Sequence, residues 1–212
     1  GEVWMTTSGQ GMFRLDKQRT QAVSMDDILQ KANYSFQSCF YEDSYNNIWI
    51  GTHDNGLVYY SPATKEVRVF KYSELNRNDV TAIQEDKQGN LFIGTQKQGV
   101  FCYNRKEEIL SPVPYVGNGT LSVYCMNLVD GQLLVGTDGQ GLKFYNIVKR
   151  QLEDYIINSS PIDLSEGKIH AVLEDRDSNL WLGLYQKGVL LTPKQDNSFE
   201  YYGDKSIYYN SI

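Results

Sequence analysis

Two histidines, His53 and His170, are the side chains of this 212-residue sequence best suited to acid–base chemistry or to binding a metal. Asp54 and Asn55 follow His53, so an imidazole, a carboxylate and an amide stand in one short loop. Two isolated histidines do not have the ligand spacing of a zinc site, and neither lies in the Gly-framed turn of a catalytic serine. The sequence therefore predicts no catalytic residue, no metal and no cofactor, and it favours a ligand-binding role for this loop.

The acidic residues recur along the chain instead of forming one special pair. Asp43, Asp86 and Asp175 each begin a short polar turn that ends in Asn. The turn at Asp175 resembles the start of a calcium loop, but Leu180 replaces the Gly at its sixth position and Gln186 the Glu at its twelfth. A catalytic carboxylate pair would be unique in the chain. The recurring acids predict hairpin turns in which Asp accepts hydrogen bonds from its own backbone.

A repeat of 42 to 47 residues positions these turns and loops. Each copy contains an aromatic or apolar residue, then Gly and Thr in most copies, and a second Gly a few residues later. A period of this length is typical of stacked repeat folds. The repeat positions predicted to be structural are Trp4, Trp49, Gly51, Phe92, Gly94, Gly136, Trp181 and Gly183.

The copy between Val80 and Pro112 shows the strand pattern most clearly. Residues 80–86 alternate apolar and polar, residues 91–95 are apolar throughout, and residues 99–103 and 108–110 complete the pattern after short turns. Four short antiparallel strands in one repeat predict a propeller blade. The aromatic residue of the second strand is expected to pack between neighbouring blades, and the Gly to mark a close approach of another backbone.

The predicted fold is an all-β propeller of about five blades in a single region, residues 1–212. The approximate blade boundaries are 1–32, 33–75, 76–118, 119–164 and 165–212. The first blade lacks its first strand. Either residues 208–212 supply that strand and close a ring, or the chain is a slice of a larger propeller, which we favour. Residues 24–32 have the apolar spacing of a short surface helix.

Charge and cysteine content exclude several classes of partner. The formal net charge is −6 and no basic cluster exceeds two adjacent residues, so we expect no nucleic-acid partner. No run of 18 apolar residues occurs, so we expect no direct membrane contact in this region. The three cysteines, Cys39, Cys102 and Cys125, lie in predicted strands, where they are expected to act as small buried apolar side chains.

The loops between the second and third strands are the predicted binding surface. Their residue types vary while the flanking residues stay the same, and variable polar loops on a rigid framework often carry specificity. Aromatic rings beside amides and carboxylates suit a sugar, whose apolar face packs on a ring. The candidate binding residues are His53, Asp54, Asn55, Lys97, Gln98, Asp138, Gln140, Tyr185 and Gln186, with Tyr34 and Tyr124 on the same side.

Residues 83–95 and the following Gly99-Val100-Phe101 resemble the two-component regulator propeller repeat. Residues 41–57 and 172–189 resemble it too, whereas residues 128–131 lack the Glu and shorten the turn. The resemblance implies the periplasmic sensor of a bacterial hybrid two-component system, in which two seven-bladed propellers commonly precede a β-sandwich, a membrane span and a cytoplasmic kinase. It also implies an oligosaccharide ligand, a non-catalytic region and a homodimer formed through the full-length sensor.

Two other functions stay open at this point. A propeller of the lyase type would use His53 or His170 with acidic neighbours and would need a metal. A scaffold propeller would bind other proteins through its faces.

Overall fold

The computed structural model describes most of the chain in five antiparallel sheets. The described residues are 3–7, 11–16, 18, 20–25, 28, 37–53, 56–70, 72, 75, 78–157, 162–194, 200–203 and 208–209. Contacts within the chain define two compact units, residues 1–83 and 84–212. No helix among the described residues is long and apolar enough to cross a membrane.

The strands of each sheet follow one another along the chain. In the first unit they are β1 (Trp4–Thr7), β2 (Gly11–Leu15), β3 (Ala22–Ser24), β4 (Gln37–Glu42), β5 (Ile48–Thr52), β6 (Leu57–Tyr60) and β7 (Val67–Phe70). The boundary between the units falls inside β8 (Val80–Glu85). In the second unit they are β9 (Leu91–Thr95), β10 (Gly99–Asn104), β11 (Ile109–Pro112), β12 (Val123–Val129), β13 (Gln132–Thr137), β14 (Leu142–Asn146), β15 (Gln151–Asp154), β16 (Ile169–Glu174), β17 (Leu180–Leu184), β18 (Gly188–Thr192), β19 (Glu200–Tyr202) and β20 (Tyr208–Tyr209).

Strand order confirms the predicted blade type. The sheets are β1-β2-β3, β4-β5-β6-β7, β8-β9-β10-β11, β12-β13-β14-β15 and β16-β17-β18-β19-β20. Sequential antiparallel strands in small separate sheets are the architecture of propeller blades. The first sheet has three strands, as expected for a blade without its first strand.

Two sequence-based expectations need correction or lie outside the described residues. The ring-closing alternative is wrong in its pairing, because Tyr208 and Tyr209 pair with β19 of the fifth sheet and do not enter the first sheet. The helix predicted at 24–32 lies largely outside the described residues. Ser24, the first residue of this segment, ends strand β3, and Ile28 is buried in the core of the first unit.

Two second-strand aromatic residues, Trp4 and Phe92, pack against a ring of the next sheet, as predicted. In the first unit the rings of Trp4 and Tyr60 meet edge to face, with centroids 6.1 Å apart. In the second unit Phe92 is 2% exposed and its centroid lies 4.8 Å from that of Tyr145. Each such ring buries about 150–250 Å² of surface. Trp49 and Trp181 contact rings of their own sheets, Tyr59 and Tyr202, and Trp181 is only half-buried.

The Asp turns have the predicted hydrogen bonds. In the third sheet, Asp86 Oδ1 accepts bonds from the backbone N–H groups of Gln88 (2.9 Å) and Asn90 (2.8 Å), and Oδ2 accepts one from the Asn90 amide (2.9 Å). Equivalent bonds form at Asp43 and Asp175. These bonds satisfy the turn's own donors, so the Asp residues are structural.

Two of these turns also hold the indole of a tryptophan, which the sequence did not reveal. Trp49 Nε1 donates to Asp43 Oδ2 (2.8 Å) and Trp181 Nε1 donates to Asp175 Oδ2 (2.7 Å). The bond from Trp181, with those from Asn179, lowers the pKa of Asp175 to about 2. Burial opposes ionisation of Asp43, but the bonds from Trp49 and Asn47 outweigh it and lower its pKa as well.

The strand glycines lie where another strand comes close, as predicted. A Cβ at Gly136 would come within 2.5 Å of Cys125 Sγ and 2.6 Å of the Ile169 carbonyl oxygen. The Cys125 thiol bonds to the same oxygen, because Sγ donates to the Ile169 carbonyl at 3.6 Å. Burial raises the pKa of Cys125 to about 12. Cys125 therefore links two sheets and is more than the small apolar side chain predicted, although it is half-buried as a residue.

Candidate functional site

Two β-bulges position the most unusual side chains of the second unit. The pairing of β12 with β13 shifts between Val123 and Cys125, and that of β16 with β17 shifts between Ile169 and Ala171. The extra residue at each shift is Tyr124 in one strand and His170 in the other. A bulge locally re-aims a side chain and often occurs beside a functional site. The same offset in neighbouring sheets brings these two rings together.

The two rings stack face to face. The centroids of Tyr124 and His170 are 3.6 Å apart and the planes differ by 2°. Tyr185, from the loop between β17 and β18, lies 4.8 Å from His170 at an angle of 38°. The Lys168 Nζ lies 5.7 Å from the centroid of Tyr185, a cation–π distance. His170 is therefore held between two tyrosines that are each about half exposed.

A charged pair borders the rings. Lys168 Nζ is 2.9 Å from Asp138 Oδ1, and their backbones form an isolated antiparallel bridge. The hydrogen bond from Lys168 lowers the pKa of Asp138, and the same bond raises the pKa of Lys168. His170 Nε2 is 3.7 Å from Asp138 Oδ1, which is too long for a hydrogen bond, and this buried nitrogen has no other partner among the described residues. We refer to Tyr124, Asp138, Lys168, His170 and Tyr185 as the ring cluster.

Hydrogen bonds that recur between the repeats hold the loop that carries Asp138. The buried Thr137 hydroxyl donates to the Gly141 carbonyl oxygen (2.6 Å) and accepts a bond from the Gln140 N–H (3.0 Å). The Gln140 side-chain oxygen accepts a bond from the Ser122 N–H at 3.3 Å. The Thr-to-Gly bond also occurs at Thr52 and Thr95. The Thr and second Gly of the repeat thus anchor each loop while leaving the tip free to vary.

A buried lysine also anchors the loop that carries Asp138. The Lys143 side chain is 4% exposed, and its Nζ donates to the Gln140 carbonyl oxygen and to Asp154 Oδ1. Tyr115 contributes its ring, 5.2 Å from Nζ, and a hydroxyl that donates to the same Asp154 oxygen. The sequence did not point to Lys143, because a charged residue inside a strand is usually exposed.

The first unit has a related pair at its own loop. His53 Nδ1 lies 3.1 Å from Asp79 Oδ1, and Asp79 directly precedes β8. Asp138 and Lys168 occupy the corresponding positions in the second unit, a loop residue paired with the residue that leads into the next first strand. Both pairs therefore follow one arrangement with different residue types.

The other predicted binding residues have varied outcomes. Gln186 donates from its side-chain amide to the Tyr185 hydroxyl (3.3 Å), so it adjoins the ring cluster. Lys97 and Gln98 are exposed in the loop between β9 and β10. Tyr34, Asp54 and Asn55 lie outside the described residues. Lys168 was missed by sequence reasoning, and His170 was considered only as a lyase residue, because their partners are distant in sequence.

The chemistry available at the ring cluster is recognition by stacking and by hydrogen bonds. The tyrosines offer exposed aromatic surface, and Asp138, Lys168 and Gln186 offer acceptors and donors around it. Among the described residues, no group of three His, Cys, Asp or Glu side chains could hold a metal ion.

Sequence comparison identifies the repeat. The family model described as "Two component regulator propeller" matches residues 30–54, 74–97 and 163–186. These three segments, about a third of the chain, are similar to the repeat of the two-component regulator propeller family. Each matched propeller repeat ends in a loop between second and third strands, and the third contains Lys168, His170, Tyr185 and Gln186. No curated protein sequence matches the chain.

Solved structures share the propeller fold. Two structures of the extracellular domain of BT4673 from B. thetaiotaomicron, described once as a one-component and once as a hybrid two-component system, match 90% and 92% of the chain. Their identities are 25% and 24%, and their TM-scores are 0.70 and 0.72. The chain spans 26% of the length of those domains.

An enzyme has the same fold. Virginiamycin B lyase from Staphylococcus aureus, in a structure of an inactive variant with quinupristin, matches 97% of the chain with a TM-score of 0.72. The match covers 67% of that enzyme at 10% identity, so it shows a shared fold alone.

Proposed function

We propose that this chain is a non-catalytic part of an extracytoplasmic sensor in a two-component signalling protein, and that its ring cluster binds an oligosaccharide. The observation that carries the proposal is the stack of Tyr124 on His170, with half of the tyrosine surface still exposed. The family of the repeat supports the signalling role, and the similarity to the BT4673 extracellular domain supports a location outside the cytoplasm. We propose that this location is the periplasm.

The ring cluster suits a sugar for physical reasons. The outer face of Tyr124 can pack on the apolar C–H face of a pyranose, while His170 behind it keeps the ring in one orientation. Fixed rings lose little conformational freedom on binding, which favours affinity. Asp138 and Gln186 can accept bonds from hydroxyl groups, and Lys168 can donate them.

Signalling would follow from differential binding. A ligand shifts a conformational equilibrium only when it binds one arrangement better than the other. We propose that the full-length sensor is a homodimer whose two arrangements differ in their affinity for the oligosaccharide. The ring cluster joins residues from the fourth and fifth sheets, so a bound sugar would stabilise their contact.

Thermal unfolding of the extracellular region with a panel of oligosaccharides tests the proposal. A ligand that binds only the native state raises its stability by about 2.7 kcal/mol at a hundredfold excess over Kd. One class of oligosaccharide should raise the unfolding temperature, and Tyr124→Ala should weaken its binding about tenfold. Tyr45→Ala is the matched control, because Tyr45 is also exposed (66%) but lies in an Asp turn. Equal effects of the two substitutions would refute the assignment of the site.

A lyase-type enzyme is the second candidate, because each histidine lies beside a carboxylate. The His53–Asp79 and His170–Asp138 pairs provide the His with acidic neighbours that such an enzyme requires. Incubation with quinupristin and a divalent cation tests this function. Cleavage that is lost in His170→Ala or with a chelator would support it, and an unchanged substrate would exclude this reaction.

A further inference from the structure

We propose that the second unit has another ligand site, a pocket that binds a small carboxylate carrying an aromatic or alicyclic ring. The pocket has a volume of about 360 Å³, and small-molecule sites are roughly 300–1,000 Å³. It is lined by the turn between β8 and β9, the turn between β12 and β13, and the end of β14. The ring cluster lies at the opposite ends of these strands, so this turn-edge pocket is a separate site.

The floor of the turn-edge pocket is aromatic. Phe92, Phe144 and Tyr145 line it, with Leu128 and Leu133 beside them. The Phe92 and Tyr145 rings meet at 60°, so each is held by the other. Burial raises the pKa of Tyr145, which keeps its hydroxyl neutral. Tilted rings with aliphatic neighbours favour a flat or ring-shaped apolar group.

The rim supplies donors that the protein does not use. Within the described part of the chain, the Lys87 ammonium and the side-chain amides of Gln88 and Gln132 have no hydrogen-bond or ion-pair partner. Lys87 reaches the turn between β12 and β13, where a Cβ on Gly131 would come within 2.9 Å of its Nζ. A cation and amide donors above an apolar floor match a ligand with an apolar ring and an anionic end.

The Asp86 carboxylate does not neutralise the charge of Lys87 at the rim. Asp86 accepts bonds from the N–H groups of Gln88 and Asn90 and from the Asn90 amide, so both its oxygens are directed at its own turn. Lys87 has no ion pair with it in the structure. A ligand carboxylate could therefore pair with Lys87 without displacing an existing bond.

Calorimetric titration of the whole chain with phenylacetate and with phenylacetamide tests the proposal. Phenylacetate should bind with one-to-one stoichiometry and more tightly than the neutral amide. Ile147→Asp places a negative charge at the rim and should abolish phenylacetate binding, because Ile147 lines the pocket. Val148→Asp is the matched control: Val148 is the adjacent residue, is 89% exposed and does not line the pocket. Both positions are exposed, so neither substitution should prevent folding.

Removal of the cation tests the carboxylate part separately. Lys87→Met should weaken phenylacetate about two- to fivefold and leave phenylacetamide unchanged, as expected for an exposed ion pair. Lys106→Met, at an exposed lysine of the same sheet outside the pocket, should change neither. Absence of phenylacetate binding, or equal binding by Ile147→Asp and the unsubstituted chain, would overturn the site. Equal affinity for acid and amide would overturn recognition of the carboxylate.

Discussion

The two ends of the strands in each sheet differ in how closely the copies of the repeat agree. At one end, which we call the turn edge, first and second strands are joined by the Asp turns. Asp43, Asp86 and Asp175 make the same backbone hydrogen bonds there in three sheets. At the other end, the loop edge, loops join second and third strands. The Thr-to-Gly bond recurs in these loops, but the residues between the Thr and the Gly differ from loop to loop. The repeated residues therefore build the framework, and the variable tips carry Asp138 and Tyr185 of the ring cluster, whereas Tyr124 and His170 lie at strand bulges. Substitutions of framework residues, compared with substitutions in the ring cluster, test this difference.

The largest effect is expected where a glycine allows two sheets to approach. Gly136→Ala would force a Cβ into Cys125 Sγ and the Ile169 backbone oxygen, so we expect a loss of about 1–3 kcal/mol in the free energy of unfolding. Gly183→Ala is the control, because the atom nearest to its Cβ would be the Ala171 Cβ, at 3.0 Å. Urea denaturation of both variants measures the difference. A smaller loss for Gly136→Ala than for Gly183→Ala would contradict the proposed contact.

A smaller loss is expected at the anchor of the loop edge. Thr137→Val keeps the shape of a fully buried residue but removes its bonds to Gly141 and Gln140, which should cost about 1 kcal/mol. Thr137→Ser retains the hydroxyl and should keep most of the stability. Chemical denaturation compares the two variants. If valine is tolerated as well as serine, the hydroxyl does not anchor the loop.

The turn edge should show a dependence on pH. Asp175 is more acidic in the folded chain, with a pKa of about 2 against the ordinary 3.8, mainly because Trp181 donates to it. A lowered folded-state pKa stabilises the fold above the unfolded value, and this contribution is lost as the pH falls through about 2. Asp175→Asn should therefore lower stability at neutral pH, and the difference from the unsubstituted chain should shrink between pH 3.8 and about 2.

Comparison with the third sheet isolates the contribution of the indole. Asp86 makes the same turn, but Phe92 replaces the tryptophan, so Asp86→Asn removes the charge and the acceptor of the Asn90 amide without breaking an indole bond. We expect it to destabilise less than Asp175→Asn in urea titrations at neutral pH. An equal loss in both variants would mean that the indole bond contributes nothing measurable.

The smallest effect on stability is expected at the exposed ring of Tyr124, at the bulge of β12. Tyr124 is 49% exposed, so Tyr124→Ala should change the free energy of unfolding by no more than about 0.5 kcal/mol. The same variant is expected to lose sugar affinity, as proposed above. A loss of stability as large as that of Thr137→Val would place Tyr124 with the framework and weaken its role in binding.

Sequence patterns predicted the local parts of this structure well. The strands at 80–85, 91–95 and 99–104 and the Asp turns between them follow from alternation and from turn residues only a few positions apart. The predicted close approach at the strand glycines is confirmed at Gly136. These features could be predicted because neighbouring residues determine each of them and the repeat shows each one several times.

Parts of the candidate site could not be predicted because they depend on distant residues. Tyr124 and Asp138 were selected from the sequence, but the stack of Tyr124 on His170 requires a bulge in each of two strands. The pair of Lys168 with Asp138 joins residues from two sheets. A bulge shifts a side chain without leaving a clear signal in composition or alternation, so its location needs the folded chain.

The amino-acid sequence alone determined the repeat, the strand pattern of its clearest copies and the turns that link those strands, because these depend on local backbone preferences and on apolar alternation. Tertiary structure decided which rings meet, which charges pair and where a pocket opens, since those contacts depend on the register and approach of neighbouring sheets. The ring cluster reflects both: the sequence supplied its polar loops, and packing of the fourth sheet against the fifth brought them together.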